Sequence, residues 1–580
     1  MSQEKRTVLA MGLMVAVIMV YQYFFFTPPP ASERVPKPAA EAPAPKPETV
    51  AAPPAPTPAT APAPARASER PMPPPRLATV DTPLYRAVVS SEGGKLQELV
   101  LRYRGEKRMV IVGDLGPAGL LVGSGTGAPP VVVPMTLSAE SVSVKAGRAE
   151  TLALAGETDG LRIRQTLHFD PETYAIAISV RVENASGVAR KIAVELPWAS
   201  RLSWAGAQEQ FPGQHPVEVV WSIARGVDRA PHWMNPTLEG LIEAPPALDR
   251  EGDWVAMGSI WYLAALMPKT GGFRLMVSVE KPAETKDAPR APSGRATIAV
   301  RATPEELAPG KAWEGDVVIF VGPKEYYRLG SLGLEDTINF GGFPIPWYYG
   351  GLPMRWFGVP ILLLMNWVYR YVGNYGIAII LLTVVTRVLF YPLTLKSMRS
   401  MKAMQALQPQ INALRSKYKN DAQRLQRETM ELYRANKVNP LGGCLPMVAQ
   451  VPIFYALYLA LSVSVELQNS PFVCFGRWPK WVPAIGGESV WICDLASQDP
   501  TYVLPILMGI TMFVQQKMTP MGGDPRQAKI MLVVMPIMFT AMFLNLPSGL
   551  VLYWTVSNVL QIAQQKYTNQ PQSAPKEARA

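Results

Sequence analysis

Three cysteines and three histidines in 580 residues leave little material for metal or nucleophilic chemistry. So few cysteines exclude a disulfide scaffold and a cysteine-rich metal site. His168, His215 and His232 all precede the hydrophobic half of the chain. An intramembrane protease or a His-based metal site is therefore not expected there. Charge is scarce as well, at 17%, which is low for a soluble protein of this size. No phosphate-binding loop, nucleophile elbow or metal-ligand spacing stands out, so no cofactor and no enzyme activity are expected. The net charge is +11, and a basic chain first suggests nucleic acid. Here much of the excess flanks hydrophobic runs, where positive charge fixes membrane orientation. Direct nucleic-acid binding is not expected.

What is abundant is unevenly placed hydrophobicity. Residues 8–26, VLAMGLMVAVIMVYQYFFF, are uncharged. They are long enough for a membrane span, which needs about 20 residues. A cleaved signal peptide is the rival reading, but no A-x-A site follows. Residues 1–26 are therefore expected to be a cytoplasmic tail and an uncleaved anchor. Residues 27–76 hold 18 prolines and read as a semi-rigid extended tether that buries no core.

Residues 77–350 read as a large antiparallel β domain. Tyr174 to Asn184, YAIAISVRVEN, places Ile176, Ile178, Val180 and Val182 on one face. LRIRQTLHF, RKIAVEL, FRLMVSV, RATIAVRA and GDVVIFVG alternate in the same way, the pattern of half-buried strands.

The remainder predicts five more spans. Residues 353–371 have an uncharged run too short to cross and aromatic residues at both ends. They read as an amphipathic helix in the outer interface. Residues 373–393 cross inward, carrying one charge, Arg387. The loop 394–440 holds ten Lys or Arg against Asp421, Glu428 and Glu431, which places it in the cytoplasm. It reads as a helical hairpin turning near Lys419-Asn420-Asp421, with Pro409 breaking or kinking its first helix. Spans follow at 441–465, 501–518, 530–546 and 549–565, with an outer loop at 466–500 and a cytoplasmic tail at 566–580. The six spans leave both termini in the cytoplasm. The last three uncharged cores of about 15 to 17 residues reach only about 23 to 26 Å, against a hydrocarbon thickness of about 30 Å. Local bilayer thinning is expected.

Several stretches carry a resemblance. They are TRVLFYPLT with Arg387, NPLGGCLPMVAQVPIFYALY, SQDPTYVLPILMGITMFVQQKM, VVMPIMFTAMFLNLPSGLVLYWTVSNVLQIAQQ and the basic hairpin between them. In this order, over about 370–566, they resemble the YidC-type (YidC/Oxa/Alb) membrane protein insertases. The anchor, tether and β domain resemble the Gram-negative form of that family, and GDVVIFVGPKEY adds a weaker match. The resemblance implies a five-helix insertase core and a periplasmic β-supersandwich in the inner membrane. The implied activity moves short polar tails through a hydrophilic groove open to cytoplasm and lipid. It also implies that apolar helices are released into the bilayer, alone or with the Sec translocon, and that folding is assisted. Nascent membrane proteins are the implied partners, with the ribosome and signal-recognition machinery as further ones.

Candidate residues follow. Arg387, about six residues from the inner end of its expected span, either snorkels to the interface or lines the groove; the resemblance favours the groove. Thr383 lies one turn earlier on the same face. Gln450, Ser557, Asn558 and Gln561 either join the groove, with Trp554, or hydrogen-bond between helices. Met531, Met535, Met538 and Met542 form one helical stripe, read as ordinary packing or as an adaptable slide for apolar segments. The resemblance favours a slide, with Pro452 and Phe454 on the facing span. Met398, Met401 and Met404 open the hairpin and either meet substrate or partners or lie on a solvated face. An oxidising compartment permits a Cys474–Cys493 disulfide in the outer loop, while Cys444 has no partner on its side. A secondary transporter would show inverted repeats and intramembrane acids, and no Asp or Glu lies in a span core. A membrane-anchored carbohydrate-binding scaffold rests on the β fold alone.

Overall fold

The computed structural model describes residues 74–569 apart from 125–129, 205, 225, 231–236, 247, 282–293, 341, 344–351, 419–420, 437, 439–444, 478–488 and 519–524. The expected anchor at 8–26, nearly all of the tether, His232, Cys444, the Lys419-Asn420 turn and the tail from 570 lie outside the described residues.

The alternating segments form three sheets. In a nine-stranded antiparallel sheet Ala175–Asn184 lies between Leu161–Phe169 and the central strand Ala312–Pro323. In its register Ile176 faces Ile319, Ile178 faces Val317 and Val182 faces Trp313. Side chains two apart share a face of a strand, so this pairing stacks the apolar face of one strand beside that of the next. A second sheet of eight strands is built around Arg190–Arg201 and Arg295–Ala302. Buried residues of both sheets, Val180 and Phe320 with Ile298 and Val300, belong to one apolar cluster. A five-stranded sheet, running from Glu106–Arg108 at one edge through Leu77–Asp81 to Ser141–Ser143 at the other, completes the domain.

One charged cluster is sealed inside it. Lys324, 1% exposed, directs Nζ at Glu218 Oε1 (3.4 Å) and donates to the Thr337 carbonyl at 3.0 Å. Arg229 reaches the second oxygen of Glu218 at 3.0 Å and the Asp336 carbonyl at 2.8 Å. Burial pushes the Lys324 ammonium below its usual range, and Glu218 pulls it partly back. The cluster fastens the segment after the last long strand, which leads into the helices.

The helical half begins with α1 (Arg355–Val372) and α2 (Tyr375–Leu389). Left-handed Gly373 ends α1, and Asn374 caps α2 by accepting from Gly376 N and Ile377 N, the arrangement expected at such a junction. α1 buries Ile361, Leu362, Met365 and Val368 and exposes Trp356, Trp367 and Tyr371.

The expected span 373–393 is not one straight helix. It bends by 60° between α2 and α3 (Tyr391–Ala406), with Pro392 in the first turn of α3, where its missing N–H costs nothing. α4 (Gln408–Lys417) follows, with Pro409 again in a first turn, then α5 (Ala422–Ala435), capped by Asp421. Among the described residues the basic segment thus holds three helical pieces, the expected first helix being broken between Ala406 and Gln408, beside Pro409. α6 (Leu445–Val463), α7 (Val503–Met518), α8 (Pro525–Phe543) and α9 (Ser548–Asn569) complete the chain. Among the described residues no single helix is long and apolar enough to cross a membrane, and the bent α2–α3 pair passes that test jointly.

Candidate functional site

α2 carries one charge on an otherwise apolar helix. Its buried face is Tyr375, Ala378, Ile379, Leu382 and Thr383, while Val384, Val385 and Val388 are exposed. Arg387 lies in the final turn, two residues before the helix ends at Leu389. Its position is thus set by the bend after α2, not by the end of a longer span. The Arg387 side chain is half-buried. Its Nε donates to Ser557 Oγ at 3.0 Å, and its Nη2 reaches the same oxygen. α2, α6, α7, α8 and α9 contain no Asp or Glu. Among the described residues, no ion pair involves Arg387.

Ser557 sits on α9 one turn beyond Tyr553, and both are buried. Tyr553 lies within electrostatic reach of Arg387, and its hydroxyl accepts from Gln450 Nε2 at 3.2 Å. One polar cluster, Arg387, Ser557, Tyr553 and Gln450, therefore joins α2, α9 and α6 among apolar surroundings. Gln561, one turn past Ser557 on the same face, is half-buried. Sequence reasoning missed Tyr553. The signal was present in the i, i+4, i+8 series Tyr553, Ser557, Gln561.

The other candidates are placed differently. Thr383 is fully buried and donates to the Ile379 carbonyl of its own helix at 2.7 Å. Its hydroxyl is thereby used within α2. Asn558 turns to α7 and contacts Thr511 Oγ1 at 3.4 Å. Trp554 belongs to an aromatic cluster, with ring centroids 5.0 Å from Phe454, 5.3 Å from Phe543 and 6.0 Å from Phe539. Trp554 and Phe454 thus tie α6, α8 and α9 together. Pro452 interrupts α6 from within. Met535, Met538 and Met542 are half-buried along a shoulder of α8, beside the exposed Val533, Val534 and Ile537. The Met531 side chain lies outside the described residues. Along the middle and last turns of α3 Met398 is buried, and Met401 and Met404 are half-buried.

Cys474 and Cys493 are joined, with Cα atoms 4.6 Å apart, across the pair of short strands Val473–Arg477 and Ser489–Ile492. The hairpin reaches the start of α2. Asn374 Nδ2 donates to the Phe472 carbonyl at 3.0 Å, and the Phe472 ring lies so close to Gly376 that an added Cβ would stand 2.0 Å from it.

A buried carboxyl marks where the β domain meets the helices. Glu466 accepts from Ser464 Oγ at 2.7 Å and from Tyr326 N at 3.0 Å. Burial pushes its carboxyl above the usual range, and these two bonds offset part of that.

Comparison with known proteins covers both halves. Residues 367–576 match the family described as 60Kd inner membrane protein, and residues 77–348 match the YidC periplasmic domain. The membrane protein insertase YidC of Syntrophus aciditrophicus is 36% identical over 510 residues, covering 85% of this chain and 84% of its own. That of Citrifermentans bemidjiense is 36% identical over 508 residues, covering 85% of each. A solved active YidC insertase covers 85% of this chain and 95% of its own, at 18% identity and a TM-score of 0.36, values that add nothing to the assignment. Two family matches in the same order, and relatives above one-third identity along most of their length, establish that the chain belongs to the YidC family, inner-membrane proteins with a periplasmic domain.

Proposed function

We propose that the protein inserts nascent membrane proteins by drawing their short polar tails into the cluster around Arg387 and releasing their apolar helices into the bilayer. The observation that carries this is a guanidinium, set among apolar helices, held by the Ser557 hydroxyl and by no carboxylate among the described residues. An isolated charge at the bilayer centre costs several kcal/mol. Fixed polar groups part-way into the membrane lower that cost for a crossing tail. A cation without a counter-ion attracts acidic residues, while Tyr553, Ser557 and Gln450 offer hydrogen bonds to the rest. The name shared by the relatives, membrane protein insertase, supports the same reading.

The apolar route is the shoulder of α8. Met535, Met538 and Met542 offer a flexible thioether surface to side chains of varied shape, and the exposed Ile537 continues it. Pro452 and Phe454 of α6 border that route, Phe454 beside the aromatic cluster it shares with α8 and α9. The chain crosses the membrane six times, by the segment 8–26, the α2 region, α6, α7, α8 and α9, with both termini and the basic hairpin in the cytoplasm. α1 lies in the outer interface with Trp356, Trp367 and Tyr371 at headgroup level. The apolar helical stretches Gln450–Val463, Val503–Met518 and Leu532–Phe543 reach about 18 to 24 Å, so the bilayer thins around them. The Cys474–Cys493 bridge suits the oxidising periplasm. The Sec translocon, the ribosome and the signal-recognition machinery are the partners the reading implies.

Photocrosslinkers at Gln450 and Met538, presented with ribosome-stalled chains of a short single-span protein, test this. Crosslinks that form as the span emerges and fade at greater chain length are expected. Silence at both positions in a folded, membrane-integrated protein would overturn the reading.

A further inference from the structure

The turn that follows α6 is held by the β domain. Arg104, in the turn between strands Leu96–Arg102 and Glu106–Arg108, donates Nη2 to the Glu466 carbonyl at 2.7 Å and Nη1 to Ser470 Oγ at 3.2 Å, and it also reaches the Gln468 carbonyl. Trp261 donates its indole N–H to the Ser462 carbonyl at 2.9 Å. The last carbonyls of a helix have no partner within it, and a cation near that end meets the negative pole of the helix dipole. Trp261 thus caps the end of α6 at Ser462, and Arg104 brings a cation to the carbonyls of the turn that follows it.

Both sides of this joint hold unfavourable backbone. Arg104 has φ 49° and Asn469 has φ 50°, two of five non-glycine residues with positive φ among the described residues. Such conformations cost about 1–3 kcal/mol each and persist where surroundings over-determine them. α6 also contains Pro452, which removes a hydrogen bond within the helix and loosens the coupling between its two halves. The half that carries Phe454 then takes its orientation from its C-terminal end.

We infer that Arg104 and Trp261 are positioning residues for insertion, holding the end of α6 and the turn after it from the periplasmic domain so that the Phe454 side of α6 is presented to the path of the incoming chain. This rests on the reading that α6 borders that path. Neither residue touches the Arg387 cluster in the described structure, so each acts through α6.

The test uses full-length protein in proteoliposomes, with Arg104→Ala, Arg104→Lys, Trp261→Phe and, as a neighbouring control, Arg102→Ala. Amide exchange at residues 464–470 and insertion of a single-span reporter are measured together. Losing a charge-assisted hydrogen bond predicts about tenfold faster exchange there in Arg104→Ala. Exchange in the strands Ala175–Asn184 and Ala312–Pro323 stays unchanged. Insertion falls severalfold, with Arg104→Lys intermediate, Trp261→Phe reduced and Arg102→Ala unaffected. Unchanged exchange, or faster exchange with full insertion, overturns the inference. Arg387→Ala, measured alongside, separates the two proposals. If it inserts normally, the groove reading fails; if Arg104→Ala alone inserts normally, only the positioning role fails.

Discussion

Arg387 was legible from sequence because one charge in an apolar run is costly and demands a reason. Its partners were less so. Ser557 and Gln450 stand out in sequence only as polar residues in other spans, and which of them meets Arg387 depends on how α2, α6 and α9 pack. Tyr553 escaped notice because a tyrosine in a span ordinarily marks an interface. Thr383 shares the face of Arg387, yet its hydroxyl bonds back to Ile379, as threonines within helices commonly do. Arg387→Ala is expected to reduce insertion of a reporter with an acidic tail about tenfold, the weight of one charge-assisted interaction. Arg387→Lys should retain part of it, since charge survives and the planar fork does not. A depletion strain complemented by each variant provides the measurement. A second residue-level expectation concerns Glu218, whose removal leaves Lys324 and Arg229 without their anion. Glu218→Ala should lower stability by about 3–5 kcal/mol, read as a lower melting temperature of the full chain in detergent. Glu218→Asp should lose less.

Strands were the most legible elements, because alternation survives wherever one face is buried. The pairs Ile176 with Ile319 and Ile178 with Val317 show that pattern turned into register. Helix breaks were harder. YPL at 391–393 reads as the tail of one span, yet the chain bends by 60° there, because Pro392 fits the first turn of a new helix better than the interior of an old one. The hairpin bearing the disulfide braces the start of α2 through Phe472. Gly376→Ala should therefore weaken this contact by about 1–3 kcal/mol, the usual cost of overpacking. Replacing Cys474 and Cys493 by serine should remove about 3 kcal/mol from the hairpin and its hold on α2, since the bridge closes a loop with a sequence separation of 19. Both effects appear as faster amide exchange at the start of α2. Protection equal to that of the parent would count against the bracing.

At the scale of the whole molecule, the two halves of the chain meet at Arg104, Trp261, Tyr326 and Glu466, and this joint could not be read from sequence. Its bonds link residues 140 to 364 positions apart, and none of the four stands out in its own segment. Glu466 gives the joint a pH dependence. Its carboxyl is faced by Ser464, Tyr326 and Glu325, with Tyr103 and Tyr375 close by and Arg104 on its backbone carbonyl. Burial raises its pKa in the docked state, so docking binds the proton more tightly than a free turn would. The contribution is complete below the ordinary carboxylate range and is lost as pH rises through the raised value. Protection of residues 464–470, corrected for intrinsic exchange, should therefore fall with rising pH, and Glu466→Gln should abolish the trend. The central claim is insertion through the Arg387 cluster, and the most direct measurement is protease protection of a short single-span protein synthesised beside proteoliposomes. The account predicts insertion that requires the purified protein and is largely lost with Arg387→Ala. Equal protection with protein-free liposomes, or with Arg387→Ala in place of the parent, would contradict it.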